Sequence, residues 1–171
     1  MSNAEYAQTM ARYNLWQNDS LTEAAGTLSP EERQKDRGAF FGSIERTFSH
    51  LLWADRTWLG RFTDGPLPGI GIPESTGLIG DWQLYLVERR RLDLDILDWA
   101  KALTGDWFAQ DLTWFSGAAS RRITLPRTMA ILQMFNHQTH HRGQIHAMLT
   151  AAGARPQATD IPFMPEACKA L

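Results

Sequence analysis

Apolar positions along this chain recur mostly at helical intervals, with little of the alternation that marks strands. Over Asn3 to Ala25 they are Tyr6, Met10, Tyr13, Leu15, Trp16 and Leu21, and Gly26 offers a stop, so a first long helix is predicted there. Ser29, Pro30 and Glu32 read as N-cap, first helical position and capping box of a short helix ending near Arg37-Gly38. Gly42-Ser43 then caps a second long helix. Its apolar side carries Ile44, Phe48, Leu51, Trp58 and Phe62, extended backwards by Phe40. Thr63 to Thr76 holds three prolines and three glycines and reads as a long crossover loop. Its Pro68-Gly69-Ile70-Gly71-Ile72-Pro73 core is no phosphate loop, because no lysine follows and no strand precedes it.

A third long helix is predicted from about Leu78 to Leu103. Beyond it, Leu112 to Phe115 and Arg121 to Leu125 flank Ser116 to Ser120 as a short β-hairpin or irregular excursion. Pro126 opens a fourth long helix that stops at Gly153, a natural residue for the position after a helix C-cap. Residues 154–171 are expected to form an irregular C-terminal tail. No repeat or linker divides the chain, so residues 1–171 are expected to form one all-α domain, a four-helix bundle with a long crossover.

The fourth helix carries the most informative stretch, Asn136-His137-Gln138-Thr139-His140-His141-Arg142-Gly143-Gln144, with three of the five histidines. At about 100° per residue from His137, the residues Ala130, Ile131, Met134, Phe135, Ile145, Met148 and Leu149 fill an arc from roughly 20° to 160°. His141 falls inside that arc and His137 at its edge, one turn apart, whereas His140 lies outside and His146 at the far limit. Two inward imidazoles so spaced suit one transition-metal ion, or else two structural residues each with its own hydrogen-bond partner. A third nitrogen has to come from another helix, and only His50, at the margin of the second helix's apolar stripe, is far enough away in sequence. That marginal position suggests a cleft open to solvent. Gln138, not glutamate, follows His137, so the zinc-peptidase pattern and its usual base are absent.

Composition narrows the classes. With 171 residues the chain can bury a core without metal or disulfides, so an ion, if bound, serves function. A formal charge of −2 and scattered basic residues give no footprint for nucleic acid, and Arg89-Arg90-Arg91 reads as a solvated helix face. The single cysteine, Cys168, excludes an internal disulfide and fits a reducing compartment; it reads as incidental unless the tail folds back onto a metal. Neither a bilayer-spanning run nor an apolar leader segment is apparent, so a soluble cytoplasmic protein is expected.

His137 to Ile145 resembles the HxxxHRGQ signature of the DinB/YfiT-like family. Phe48-Ser49-His50-Leu51-Leu52-Trp53-Ala54-Asp55 with Trp58 is similar to that family's second-helix ligand segment, and Tyr13 to Asn18 to its opening helix. Gly153-Ala154-Arg155-Pro156 and Asp160 fit its ending, so the likeness covers nearly the whole chain. It implies a metal-binding four-helix bundle in which His50, His137 and His141 hold zinc or nickel and water completes the coordination. It also implies a homodimer. Some relatives are transferases or isomerases using bacillithiol, mycothiol or glutathione. The family's name reflects damage-inducible expression; the chain lacks the length and carboxylate-bearing palm of the unrelated DNA polymerase.

Together these readings give an expected metal-dependent enzyme of thiol-transferase or hydrolase type acting on a small molecule. The ion would lower the pKa of water or of a low-molecular-weight thiol. Asp55, Gln138, Arg142 and Gln144 are candidates for orienting ligands, moving protons or holding an anionic substrate, each with a structural reading beside it, and Asp55, inside an apolar arc, needs a partner. The competing reading is a non-catalytic, dimerising binding protein whose structural or adventitious ion is closed off by a fourth ligand such as His140 or Cys168.

Overall fold

Each of the first three long helices begins where a side chain can satisfy its free N–H groups. In the computed structural model, which describes residues 1–171, the Ser2 hydroxyl and the Glu5 carboxylate form a reciprocal capping box that opens α1 (Asn3–Gly26). Ser43 caps α3 (Ile44–Thr63) by accepting from the Arg46 N–H, and Asp81 caps α4 (Trp82–Lys101) by accepting from the Leu84 N–H. α4 therefore starts at Trp82 rather than Leu78: a 3₁₀ turn, Ser75–Gly77, comes just before Leu78, and residues 78–81 lead from it to the Asp81 cap. Pro126 precedes α6 (Arg127–Ala151). That helix closes on a Schellman motif: Gly153, at φ +86°, donates to Thr150 O and Ala154 donates to Leu149 O.

Shorter elements fill the gaps. α2 (Pro30–Gln34) is capped by Ser29, but Glu32 leaves the capping box half made because its carboxylate turns to Arg37 and Lys35. α5 (Gly105–Phe108), which the apolar pattern did not announce, presents Trp107 to Phe62 and Trp99. The predicted hairpin is an antiparallel pair, β1 (Asp111–Ser116) and β2 (Arg121–Pro126), with Trp114 opposite Ile123 and its ring against Trp58.

The chain is mostly helical with this one small sheet. α1 packs on α4 and α6, and α3 packs on the same two, so the four long helices close a ring. Their inward stripes bury Leu15, Phe48, Leu51, Ile96, Met134, Phe135 and Ile145, each contributing roughly 1.5–3 kcal/mol. No helix is long and apolar enough to cross a membrane.

Two expectations are corrected and one is refined. Residues 154–171 are largely irregular, but the segment is not a loose end: it lies along α1 and includes a 3₁₀ turn (Ile161–Phe163) and the short α7 (Glu166–Lys169). It is tied down by Tyr13 Oη donating to Thr159 O, Trp16 Nε1 to Gln157 Oε1, Gln17 Nε2 to Ala158 O, and Gln157 N to Ser20 Oγ. Arg89 is not on a solvated face but only 2% exposed, on the same stripe as Tyr85, Leu92 and Ile96. Phe40 does not extend the apolar side of α3; it precedes the helix and is 81% exposed.

Candidate metal centre

α6 presents His137 and His141 one turn apart, and α3 presents His50 opposite them. Their ligand atoms all lie within 4.8 Å of one another. His137 Nε2 is 3.0 Å from His141 Nε2 and 3.4 Å from His50 Nε2. His50 does not stand at an open margin, as its place on the wheel suggested; it is 3% exposed because Phe41 stacks on it, with ring centroids 4.0 Å apart. His141 is buried and His137 half-buried.

Two neighbours decide where the imidazole protons sit. Ser75 Oγ donates its hydrogen to Ile72 O at 2.6 Å, so toward His50 Nδ1, at 2.8 Å, it can only accept. His50 therefore carries its proton on Nδ1 and a bare lone pair on Nε2. His141 Nδ1 donates in the same way to Gln144 Oε1 at 2.8 Å, which bares its Nε2 as well. His137 Nδ1 is buried without a partner, while its Nε2 faces both bare nitrogens and has at most one proton to offer them. Three converging nitrogens with a surplus of lone pairs are a donor set for a cation. The two distances from His137 agree with this, since two nitrogens on one tetrahedral zinc at about 2.0–2.1 Å are separated by about 3.3 Å.

Burial and mutual repulsion keep these rings neutral. Desolvation, then His141, lowers the pKa of His50 to about 4. Desolvation, then His141, His50 and His140, lowers that of His137 to about 3, and burial also lowers that of His141 against the opposing bond to Gln144. A base with a depressed folded-state pKa binds fewer protons folded than unfolded, so its contribution is intact above the unfolded pKa near 6.5 and is lost as pH falls toward the folded value. Metal-free protein is thus expected to lose on the order of 2 kcal/mol between pH 7 and pH 5.5 through His50 and His137. Urea titrations at the two pH values check this, and equal stability would contradict it.

The other candidates divide. Gln144 bonds His141, while Asp55, Gln138 and Arg142 lie behind the site in a buried polar network. Gln138 Nε2 donates to Asp55 Oδ1, and Arg89 Nη1 donates to Asp55 Oδ2, which supplies the partner Asp55 needed. Arg89 also bonds both oxygens of Asp93, whose Oδ1 accepts from Asn14 and Asn18; Arg142 donates to Asn14 Oδ1. The four charges of Asp55, Asp93, Arg89 and Arg142 cancel, and the chain of bonds touches all four long helices. Burial nevertheless pushes Asp93 up to about 6 against the pull of Arg89, and moves Asp55 in the same direction. Neither His140 nor Cys168 joins the three histidines: His140 is exposed, and Cys168 sits on α7 against Tyr13, Trp16 and Met164. Ser75 and Phe41 escaped the sequence reading, which named Trp53 only as part of the second-helix segment; Ser75 and Phe41 reach His50 from loops, where no periodicity points to them.

His50 and His137 open onto a cleft of about 1930 Å³ walled by α3, α6, the hairpin and the 64–81 loop. That loop is pinned to α3: Trp53 Nε1 donates to Ile70 O, Ser49 Oγ to Ser75 O, and Pro66 lies so close over Gly60 that an added Cβ would stand 2.8 Å from Pro66 O.

Fold and site thus define a mostly helical protein with three histidines poised as one donor set beside a large cleft. A model of the DinB family matches residues 1–169, and the chain belongs to that family. No curated protein and no solved structure matches it.

Proposed function

We propose that this protein binds one divalent ion, zinc or nickel, through His50, His137 and His141, and that it is a metal-dependent enzyme of thiol-transferase or hydrolase type. The observation that carries this reading is the convergence of the three Nε2 atoms, two of them bared by Ser75 and Gln144. Neutral imidazoles accept either ion. Held there, the ion would act as a Lewis acid, lowering the pKa of water or of a low-molecular-weight thiol. The chain's own part is to fix the ligand tautomers, to shield His50 with Phe41, and to offer the cleft to a small substrate. A closed structural site would need a fourth protein ligand, and the positions of His140 and Cys168 favour an open one.

The ring of four long helices supports the four-helix-bundle reading over a single domain. Exposed Leu84, Val87 and Leu94 on one face of α4 support the homodimer that the family resemblance implies, and a cytoplasmic setting goes with the lone unpaired Cys168.

Calorimetric titration of chelator-treated protein with zinc and with nickel is expected to show one ion per chain. No binding of either ion would overturn the proposal. In cobalt-loaded protein the visible spectrum is expected to change on adding azide or 2-mercaptoethanol; an unchanged spectrum would identify a closed, non-catalytic site.

A further inference from the structure

One face of α3 carries Arg46, His50, Trp53, Thr57 and Arg61 at steps of three and four residues, and all five line the cleft. Arg61 stands three helical turns, about 16 Å, beyond His50. Its guanidinium lies 4.8 Å from the ring centre of Trp58 and 5.1 Å from that of Trp114, half-buried, with no ion pair and no hydrogen bond. Arg56 is paired with Glu88 and Arg33 with Glu45, while Arg46, at the histidine end of the cleft, is also without an ion pair but is exposed to solvent. A partly buried charge held by two indoles without an anion is costly, and burial indeed lowers the pKa of Arg61. The one acidic residue lining the cleft, Asp36, sits at the opposite end beside Gly42 and Arg46 and accepts from the Gly38 N–H, which leaves the charge of Arg61 uncompensated. Between the two ends the cleft carries an apolar strip. Leu67, Ile70, Ile72, Met129 and Leu132 converge there while remaining exposed, an arrangement that marks a ligand surface.

We propose that the cleft binds an elongated organic acid, its carboxylate paired with Arg61 between Trp58 and Trp114, its apolar body along the cleft, and its far end at the three histidines. The direction in which the acid lies rests on the metal reading given above; the pairing with Arg61 does not. Dodecanoate, dodecanol and dodecyltrimethylammonium serve as probes, titrated into chelator-treated protein and followed by the fluorescence of Trp53, Trp58 and Trp114.

Dodecanoate is expected to bind 10- to 100-fold more tightly than dodecanol, in keeping with about 1.5–3 kcal/mol for a hydrogen bond to a charged group, and the cation least well. Arg61→Gln is expected to erase that preference while leaving dodecanol binding and the circular dichroism spectrum unchanged, and Arg61→Lys to keep part of it. Equal affinities for acid and alcohol in the wild type, or an unaltered preference in Arg61→Gln, would overturn the proposal. Because these titrations are metal-free, failure of the chain to hold an ion would leave their outcome intact. Repeated with zinc, dodecanoate binding that depends on His50 and no longer on Arg61 would place the carboxylate at the histidines and overturn the stated orientation.

Discussion

Arg89→Met is expected to destabilise the protein by about 3–5 kcal/mol, the typical cost of removing one partner from a buried ion pair. The side chain is of similar length and apolar, so packing is largely kept. What changes is that Asp55 and Asp93, both essentially inaccessible, lose the guanidinium bonded to each. Burial alone opposes the charge on Arg89, yet Asp93 and Asp55 more than offset it and hold its pKa above the ordinary value, a sign of how strongly the three groups depend on one another. Urea denaturation measures the loss. A second variant separates charge from shape: with Asp55→Asn and Asp93→Asn added, the stranded charges are gone and much of the stability should return, because replacing a whole ion network is commonly far milder than halving it. A stability for Arg89→Met within about 1 kcal/mol of wild type would contradict this account.

The same network steadies the candidate site. Gln138 lies between the two α6 histidines in sequence but points the other way, giving its amide N–H to Asp55. Asp55 in turn lies one residue beyond the Ala54 that lines the cleft on α3, so Arg89 and Asp55 brace the two histidine-bearing helices from behind. Two layers therefore act on the histidines: Ser75 and Gln144 set ring protonation, and the buried ions set helix register.

Much of this was legible along the chain because helix periodicity survives folding. The long helices, the hairpin and the Gly153 stop follow from patterns within about 25 residues, and so does the inward pair His137 and His141. Arg89 was readable too: it stands four residues from Tyr85 and from Asp93, inside the stripe continued by Leu92 and Ile96, and only its two arginine neighbours made it look solvated. His50 lies beside His137 and His141 in space, but its burial depends on Phe41 and Ser75, which arrive from loops. Loop conformation is set by tertiary contacts such as the approach of Pro66 to Gly60, and these leave no periodic trace. The docking of the C-terminal segment left no signal for a similar reason: it is held on α1 by single hydrogen bonds and a small patch of Met164 on Tyr13 and Trp16 rather than by a periodic apolar stripe.

Removing a histidine and removing the group that orients it should differ in kind. His137→Ala takes away the nitrogen nearest both others and is expected to abolish stoichiometric zinc or nickel binding, leaving two donors that no longer enclose an ion. Ser75→Ala and Gln144→Ala leave all three nitrogens present but free the Nδ1 protons of His50 and His141, so each ring can turn or change tautomer. Such orienting partners are typically worth 10–100-fold in metal affinity, so each single variant should bind more weakly by about that factor while keeping one ion per chain. The double variant should show the two losses nearly added, because Ser75 and Gln144 act on different rings from different elements. Competition with a chromophoric chelator at pH 7 measures all four proteins. His137→Ala binding as tightly as the wild type would remove the three-histidine site, whereas unchanged affinity in both orienting variants would leave the site in place and refute the tautomer argument alone.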